Sequence, residues 1–292
     1  MRAGPLTPAA ALCAAAAAIL TTYSAGFPRA EAKPSAADAP RAIPLPADAI
    51  KRLRSSDPAA VKGALDEVRT SARAGAPAAP VIAELLEQGL TPSLTQAAID
   101  TLGDTESEAG STALGWYAQH RNVELRRAAV QALSRTRGPA AVKALRQALS
   151  DPDPNVRGLA ATGLGSMKAK ETVGDLFVAL EHKVGEAAAS IGQLCAGNEC
   201  DRLASKLGSV PFDVVTSGLD QVLFRPPSDV SDDIKVKIVG RVRELGTGEA
   251  NRFLRSVQGK WPKTWSQRVK QSIDQAVLAT SGSPGTSGGD TQ

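Results

Sequence analysis

The side chains able to hold a metal, a proton or a nucleophile are sparse in this chain of 292 residues. Two histidines, His120 and His182, stand 62 positions apart, each near the end of a predicted helix. A cationic side chain at a helix C-terminus already has a dipole rationale worth up to ~1 kcal/mol, so neither needs a ligand to explain it. Cys195 and Cys200 flank Ala196-Gly197-Asn198-Glu199 at a predicted turn between two helices, a separation that lets the sulfurs meet. Closing that six-residue loop would stabilise the fold by about 2 kcal/mol on the chain-entropy estimate. Two reduced cysteines serving as small apolar residues, or half of a metal site, are the other readings of the pair.

Charge gives a second kind of chemistry. Between Lys235 and Lys270 ten basic residues stand against Glu244 and Glu249, a net +8 in 36 residues. Lys237 and Arg241 are four apart and share a helical face, which Arg252 with Arg255 is expected to extend, and Lys235 is counted with these four as a candidate contact for an acidic partner. A solvated helix face is the plain reading; an acidic partner at this end is the functional one. Ile99 to Thr112 carries Asp100, Asp104, Glu106 and Glu108 with no cation. The whole chain has a formal charge of +4 and a pI near 9.0. That falls short of the dense basic footprint of a dedicated nucleic-acid binder, and none is expected as a partner.

The elements that must position these groups follow from the apolar pattern. Aromatic residues make up only 3% of the chain, so the core must be built from small side chains that let helices approach closely. Met1 to Ala32 reads as an export signal: Arg2 gives a positive start, Ala9 to Leu20 is an apolar run, and Ala30-Glu31-Ala32 offers small residues for cleavage. The run is too short for a comfortable bilayer span, which takes roughly 20 residues. Export to the periplasm or cell envelope is therefore expected, with no stable membrane span after cleavage; an uncleaved segment kept as an anchor is the alternative. Cleavage would leave two of the three cysteines, a count that permits one disulfide outside the cytoplasm. A Pro/Ala-rich linker follows over residues 33–47.

Beyond the linker a fixed period appears. Leu102, Leu133 and Leu164 are spaced by 31, as are Leu94, Leu125 and Val156, and Ile99, Val130 and Ala161. A second helix per unit obeys the same rule, with Val142, Leu145 and Leu149 answering to Val173, Leu176 and Leu180. A period of this size marks stacked helical hairpins, each burying its apolar face against the next. The register drifts at the ends, where Val68 precedes Leu102 by 34 and Leu194 follows Leu164 by 30. The histidine separation is twice the period, which places both on one edge about two units apart. From Phe212 to Ala279 punctuation predicts four more helices. One is capped by Ser231, and the last opens with a capping box of Thr264 and Gln267 and buries Trp265, Val269, Ile273 and Val277. Trp261 is expected to pack as an end cap, and Trp116 and Tyr117 to fill space where neighbouring side chains have shrunk. From 280 to 292 the string is too polar and Gly-rich to bury anything.

Residues 151 to 165, Asp-Pro-Asp-Pro-Asn-Val-Arg-Gly-Leu-Ala-Ala-Thr-Gly-Leu-Gly, resemble the first helix of a HEAT repeat in the form found in phycobilisome-lyase-like proteins. Val123 to Arg135 resembles it too. The resemblance implies an all-α solenoid, a right-handed superhelix of antiparallel helix pairs used as a binding surface. HEAT-like repeats are expected over 48–207 and further helical repeats with a cap over 208–279. HEAT-like enzymes that oxidise a modified lysine resemble one another in paired His-Glu motifs holding two irons, and no His-Glu dipeptide occurs here. The expectation is a non-enzymatic scaffold that holds protein partners on its concave face, with no catalytic residue, cofactor or metal. A lyase- or hydrolase-type enzyme on the same scaffold and a structural envelope component are the alternatives.

Overall fold

A computed structural model describes residues 43–281. The expected export signal, most of the linker and all but two residues of the expected tail lie outside the described residues. What is described is helical throughout, with a lone β-bridge between Leu207 and Val210. The helices are α1 (Ala49–Leu53), α2 (Pro58–Ser71), α3 (Ala79–Gln88), α4 (Pro92–Thr105), α5 (Ser111–Tyr117), α6 (Val123–Leu133), α7 (Pro139–Ala148) and α8 (Pro154–Ser166). They continue as α9 (Val173–Glu181), α10 (Glu186–Leu194), α11 (Asn198–Ala204), α12 (Phe212–Leu223), α13 (Asp232–Glu244), α14 (Gly248–Lys260) and α15 (Gln267–Thr280).

Local chemistry explains where many of them start. Pro58, Pro92, Pro139 and Pro154 occupy the first turn, where a missing N–H costs nothing. The side chains of Asp57, Asn122, Asp153 and Thr247 each accept a hydrogen bond from an early helical N–H. The last helix departs from expectation. It begins at Gln267, and Ser266 rather than Thr264 caps it, accepting from the Val269 N–H. Gln267 is thus the first helical residue and too early to close a capping box. Ser231 does stand at the cap position of α13, but its side chain makes no capping bond.

Helices of one row stack directly on one another: α2 on α4, α4 on α6, α6 on α8, α8 on α10 and α10 on α12. The second row runs beside it, with α3 on α5 and α5 on α7, then α11 on α13 and α13 on α15. This is an all-α solenoid of antiparallel pairs. Leu102, Leu133 and Leu164 are completely buried, as are Ile99, Val130 and Ala161. Each leucine so placed contributes about 1.5–3 kcal/mol relative to exposure. Four helices do fill the stretch from Phe212 to Thr280.

Small side chains set the spacing of the first row. A methyl added to Gly192 of α10 would run into the Gly218 carbonyl of α12, and one added to Gly218 would run into the Ala188 carbonyl. Hydroxyls and guanidinium groups satisfy the turns. Arg126 Nη1 donates to the His120 and Arg121 carbonyls, and Arg157, 31 residues on, donates likewise to those of Asp151 and Pro152. One motif therefore closes two successive loops.

Candidate protein-binding surface

The groups singled out by type and spacing scatter over the array. Cys195 and Cys200 are bonded to each other, with Cα atoms 5.2 Å apart, and both are fully buried between α10 and α11. His120 accepts the Asn122 N–H on Nδ1 at 3.0 Å and stacks on Tyr117, so it holds a loop. His182 is exposed at the end of α9. Among the described residues no three His, Cys, Asp or Glu side chains are placed to hold a metal ion. No described helix is long and apolar enough to cross a membrane.

The structure removes one member from the expected basic C-terminal face. Lys235 is no surface cation: it is fully buried, and its Nζ donates to the Arg225 carbonyl at 2.5 Å and lies 4.6 Å from the Trp265 ring centre. Its position on α13 falls on the inward stripe beside Ile238, Val239 and Val242. Burial pushes its ammonium pKa down, while Asp232 pulls it up less strongly. Lys237 and Arg241 do share a face, yet both grip Asp201 of α11, at 2.8 and 2.9 Å. The Lys237 bond and then the Arg241 bond hold that carboxyl below the usual aspartate range. Of the five, Lys237, Arg252 and Arg255 are exposed, and only Arg252 and Arg255 on α14 have no ion-pair partner among the described residues; Arg255 Nε donates to its neighbour Asn251.

Two carboxylates of the acidic run are likewise held within the array. Asp104 lies 3.2 Å from Arg69 and 3.5 Å from Arg135, and Glu106 lies 2.6 Å from Arg73 and 3.7 Å from Arg137. These two ladders tie three consecutive hairpins along the edge made by the turns within pairs. A groove of ≈ 680 Å³ opens on that edge, where Arg135, Arg137 and Lys168 mix with Glu106 and Glu171.

A different surface was not singled out by type or spacing. Trp116 on α5 is 58% exposed and Val178 on α9 is 53% exposed. Trp116 does not fill space as expected; its neighbour Tyr117 does, half-buried with its hydroxyl donating to the Leu86 carbonyl at 2.9 Å. Trp116 and Val178 are 62 residues apart, twice the period, so they occupy the same register position of the second row. Gln147 of α7 holds the position between them. The signal that could have found this row is the arithmetic that aligned the two histidines, applied to apolar residues off the core stripe. Trp261, by contrast, packs against Phe224 and Trp265 at the C-terminal end and is 7% exposed.

Comparison with known proteins finds a helical-repeat family over part of the array. The family described as HEAT repeats matches residues 79–151. No curated protein matches the chain. Among solved structures, the complex of CpcE and CpcF of phycocyanin lyase from Nostoc sp. PCC7120 is similar at 17% identity and a TM-score of 0.43, covering 80% of this chain and 93% of that one. A crystal structure of an engineered protein is similar at 17% identity and a TM-score of 0.38, covering 80% and 95%.

Proposed function

We propose, on the premise that this chain is a HEAT-repeat protein, that it is a non-enzymatic scaffold which works outside the cytoplasm and holds protein partners along its row of second helices. One observation carries the reading: Trp116 and Val178 present large apolar side chains to solvent at one repeated position, on helices whose other faces are fully engaged in the core. A repeat array suits such use because a rigid core fixes the row while its exposed positions stay interchangeable. An exposed tryptophan is the side chain most often found to dominate a binding interface.

The disulfide between Cys195 and Cys200 supports the compartment, since such bonds persist in oxidising surroundings and are rare in the cytosol. Fractionation of the source cells, with alkylation of any free thiol, tests this part. The chain should appear outside the cytoplasm with both cysteines protected, and a reduced cytoplasmic chain would refute it. Affinity capture with the tagged chain at low and high salt tests the scaffold. A small set of proteins retained in fixed ratio to the bait is the expected result; retention of none, at either salt, would end the reading.

A further inference from the structure

We infer that the second-helix row between Trp116 and Val178 receives an extended, acidic peptide segment bearing two apolar side chains about six residues apart; this rests on the scaffold reading and specifies its partner. Helices in contact lie roughly 8–10 Å apart, and α5 packs on α7 whereas α9 stands off from α7, so two steps of the array separate the anchors by about 20 Å. An extended strand rises about 3.3 Å per residue and covers that distance in about five to six residues. Residues an even number apart in a strand point the same way, so both anchors of such a segment can face the array.

The α5–α7 half of that span offers a groove for a backbone. A groove of ≈ 510 Å³ lies between the ends of α5 and α7, with Ala118, Ala144 and Ala148 in its lining. Gly115 adds to the shallowness, because a side chain there would touch the Ala144 methyl. Gln119 and Gln147 border the groove, and Gln119 Nε2 donates to Gln147 Oε1 at 3.2 Å. That single bond leaves each amide with further donors and acceptors, matched to the N–H and C=O of a strand. Apolar anchors parted by amides suit a peptide better than a lipid surface, which would want one continuous apolar face.

Charge selects the sign of the segment. The carboxylates beside the row are already held, Asp175 by Arg146 at 2.8 Å and Glu181 by Lys206 at 2.8 Å. Lys143 on α7 and Arg121 beside the groove are exposed and have no ion-pair partner among the described residues. Carboxylates on the peptide, between its anchors, would meet those cations.

The test uses the full chain and a synthetic seven-residue peptide, blocked at both ends, with leucine at the first and seventh positions, glutamate at the third and fifth, and serine elsewhere. Anisotropy of the labelled peptide should saturate and weaken at high salt. Trp116→Ala should weaken binding by about tenfold or more, as loss of a buried tryptophan anchor does, and Lys143→Glu should weaken it several-fold. Both positions are exposed, so unchanged circular dichroism melts will show that the variants are folded. With unlabelled peptide the emission of Trp116 should shift to the blue and become protected from acrylamide, since Trp261 is already buried and Trp265 half-buried. Equal binding of a lysine-for-glutamate peptide, or of one with its leucines two apart, overturns the inference, as does absence of binding. A Trp116 shift produced by vesicles of phosphatidylglycerol but not by peptide would overturn it in favour of a membrane. If captured proteins are retained equally by the Trp116→Ala chain, the peptide inference falls and with it the placing of partners on this row, while a scaffold role as such stands; if nothing is captured, the scaffold role falls too.

Discussion

Lys235 and Asp201 show how a side chain's neighbours decide its meaning. A lysine in a basic run reads as surface charge, but Lys235 sits in the core with its ammonium on the Arg225 carbonyl and beside two tryptophan rings. Its folded-state pKa is depressed below the ordinary value near 10.5, so between those two values the unfolded chain binds a proton that the folded chain does not. Stability attributable to this group therefore rises with pH through that window, and the cost of the buried charge is full below it. Lys235→Met should leave the urea midpoint at neutral pH unchanged or raised, because replacing a buried charge by an apolar side chain of similar volume is often neutral or stabilising. The parent's gain relative to the variant as pH rises toward the ordinary lysine value is the confirming measurement. Asp201 moves the other way: its depressed pKa supplies stability above the ordinary carboxylate range, which is lost as pH falls through the folded value. Reversing Lys237 and Arg241 to glutamate would set three carboxylates together. The expected cost is about 1 kcal/mol or more of stability in a thermal or urea melt, whatever happens to binding.

At the scale of the element, the close approach of α10 and α12 is the feature most sensitive to substitution. Gly218→Ala would force a methyl against the Ala188 carbonyl, and backbone cannot rotate aside as a side chain can. Overpacking of this kind costs about 1–3 kcal/mol. The expected signature is a lower urea midpoint at an unchanged slope. Gly240 of α13, which has nothing within 4 Å of a would-be Cβ, is the control: Gly240→Ala should stabilise the helix slightly. The sequence marked the hairpins well here, because proline in the first turn and buried leucines every 31 residues are properties of single helices. It missed the capping of α15 by Ser266, where two hydroxyl residues, Thr264 and Ser266, stand two positions apart and either could serve.

Across the whole molecule, stability should be distributed as in a one-dimensional stack, each hairpin leaning on its neighbours. Helices α6, α8 and α10 are buttressed on both sides, whereas the five-residue α1 and the terminal α15 have a neighbour in the row on one side only. Native-state hydrogen exchange should therefore show the slowest amides in the three central helices and the fastest in α1 and the last turn of α15. Uniform protection from end to end would contradict this. The row pattern also shows why the repeat fades from the sequence beyond Leu207. Up to α12 the close stacking lies between first helices, while at the C-terminal end it passes to α13 on α15. The anchor positions change with it.

The sequence alone determined the helical class, the hairpin unit, its 31-residue register and the buried leucines, because each follows from the periodicity of one chain segment. Which charges reach solvent was decided only by the tertiary structure. Lys235 was drawn into the core, Lys237 and Arg241 were neutralised by a carboxylate 36 and 40 positions earlier, and Asp104 and Glu106 were shared between hairpins. Exposure and ion pairing depend on what a neighbouring helix brings near, and a single helix does not carry that information. Trp116 and Val178 stand between the two cases: their common register was legible in the spacing, but only packing left them uncovered.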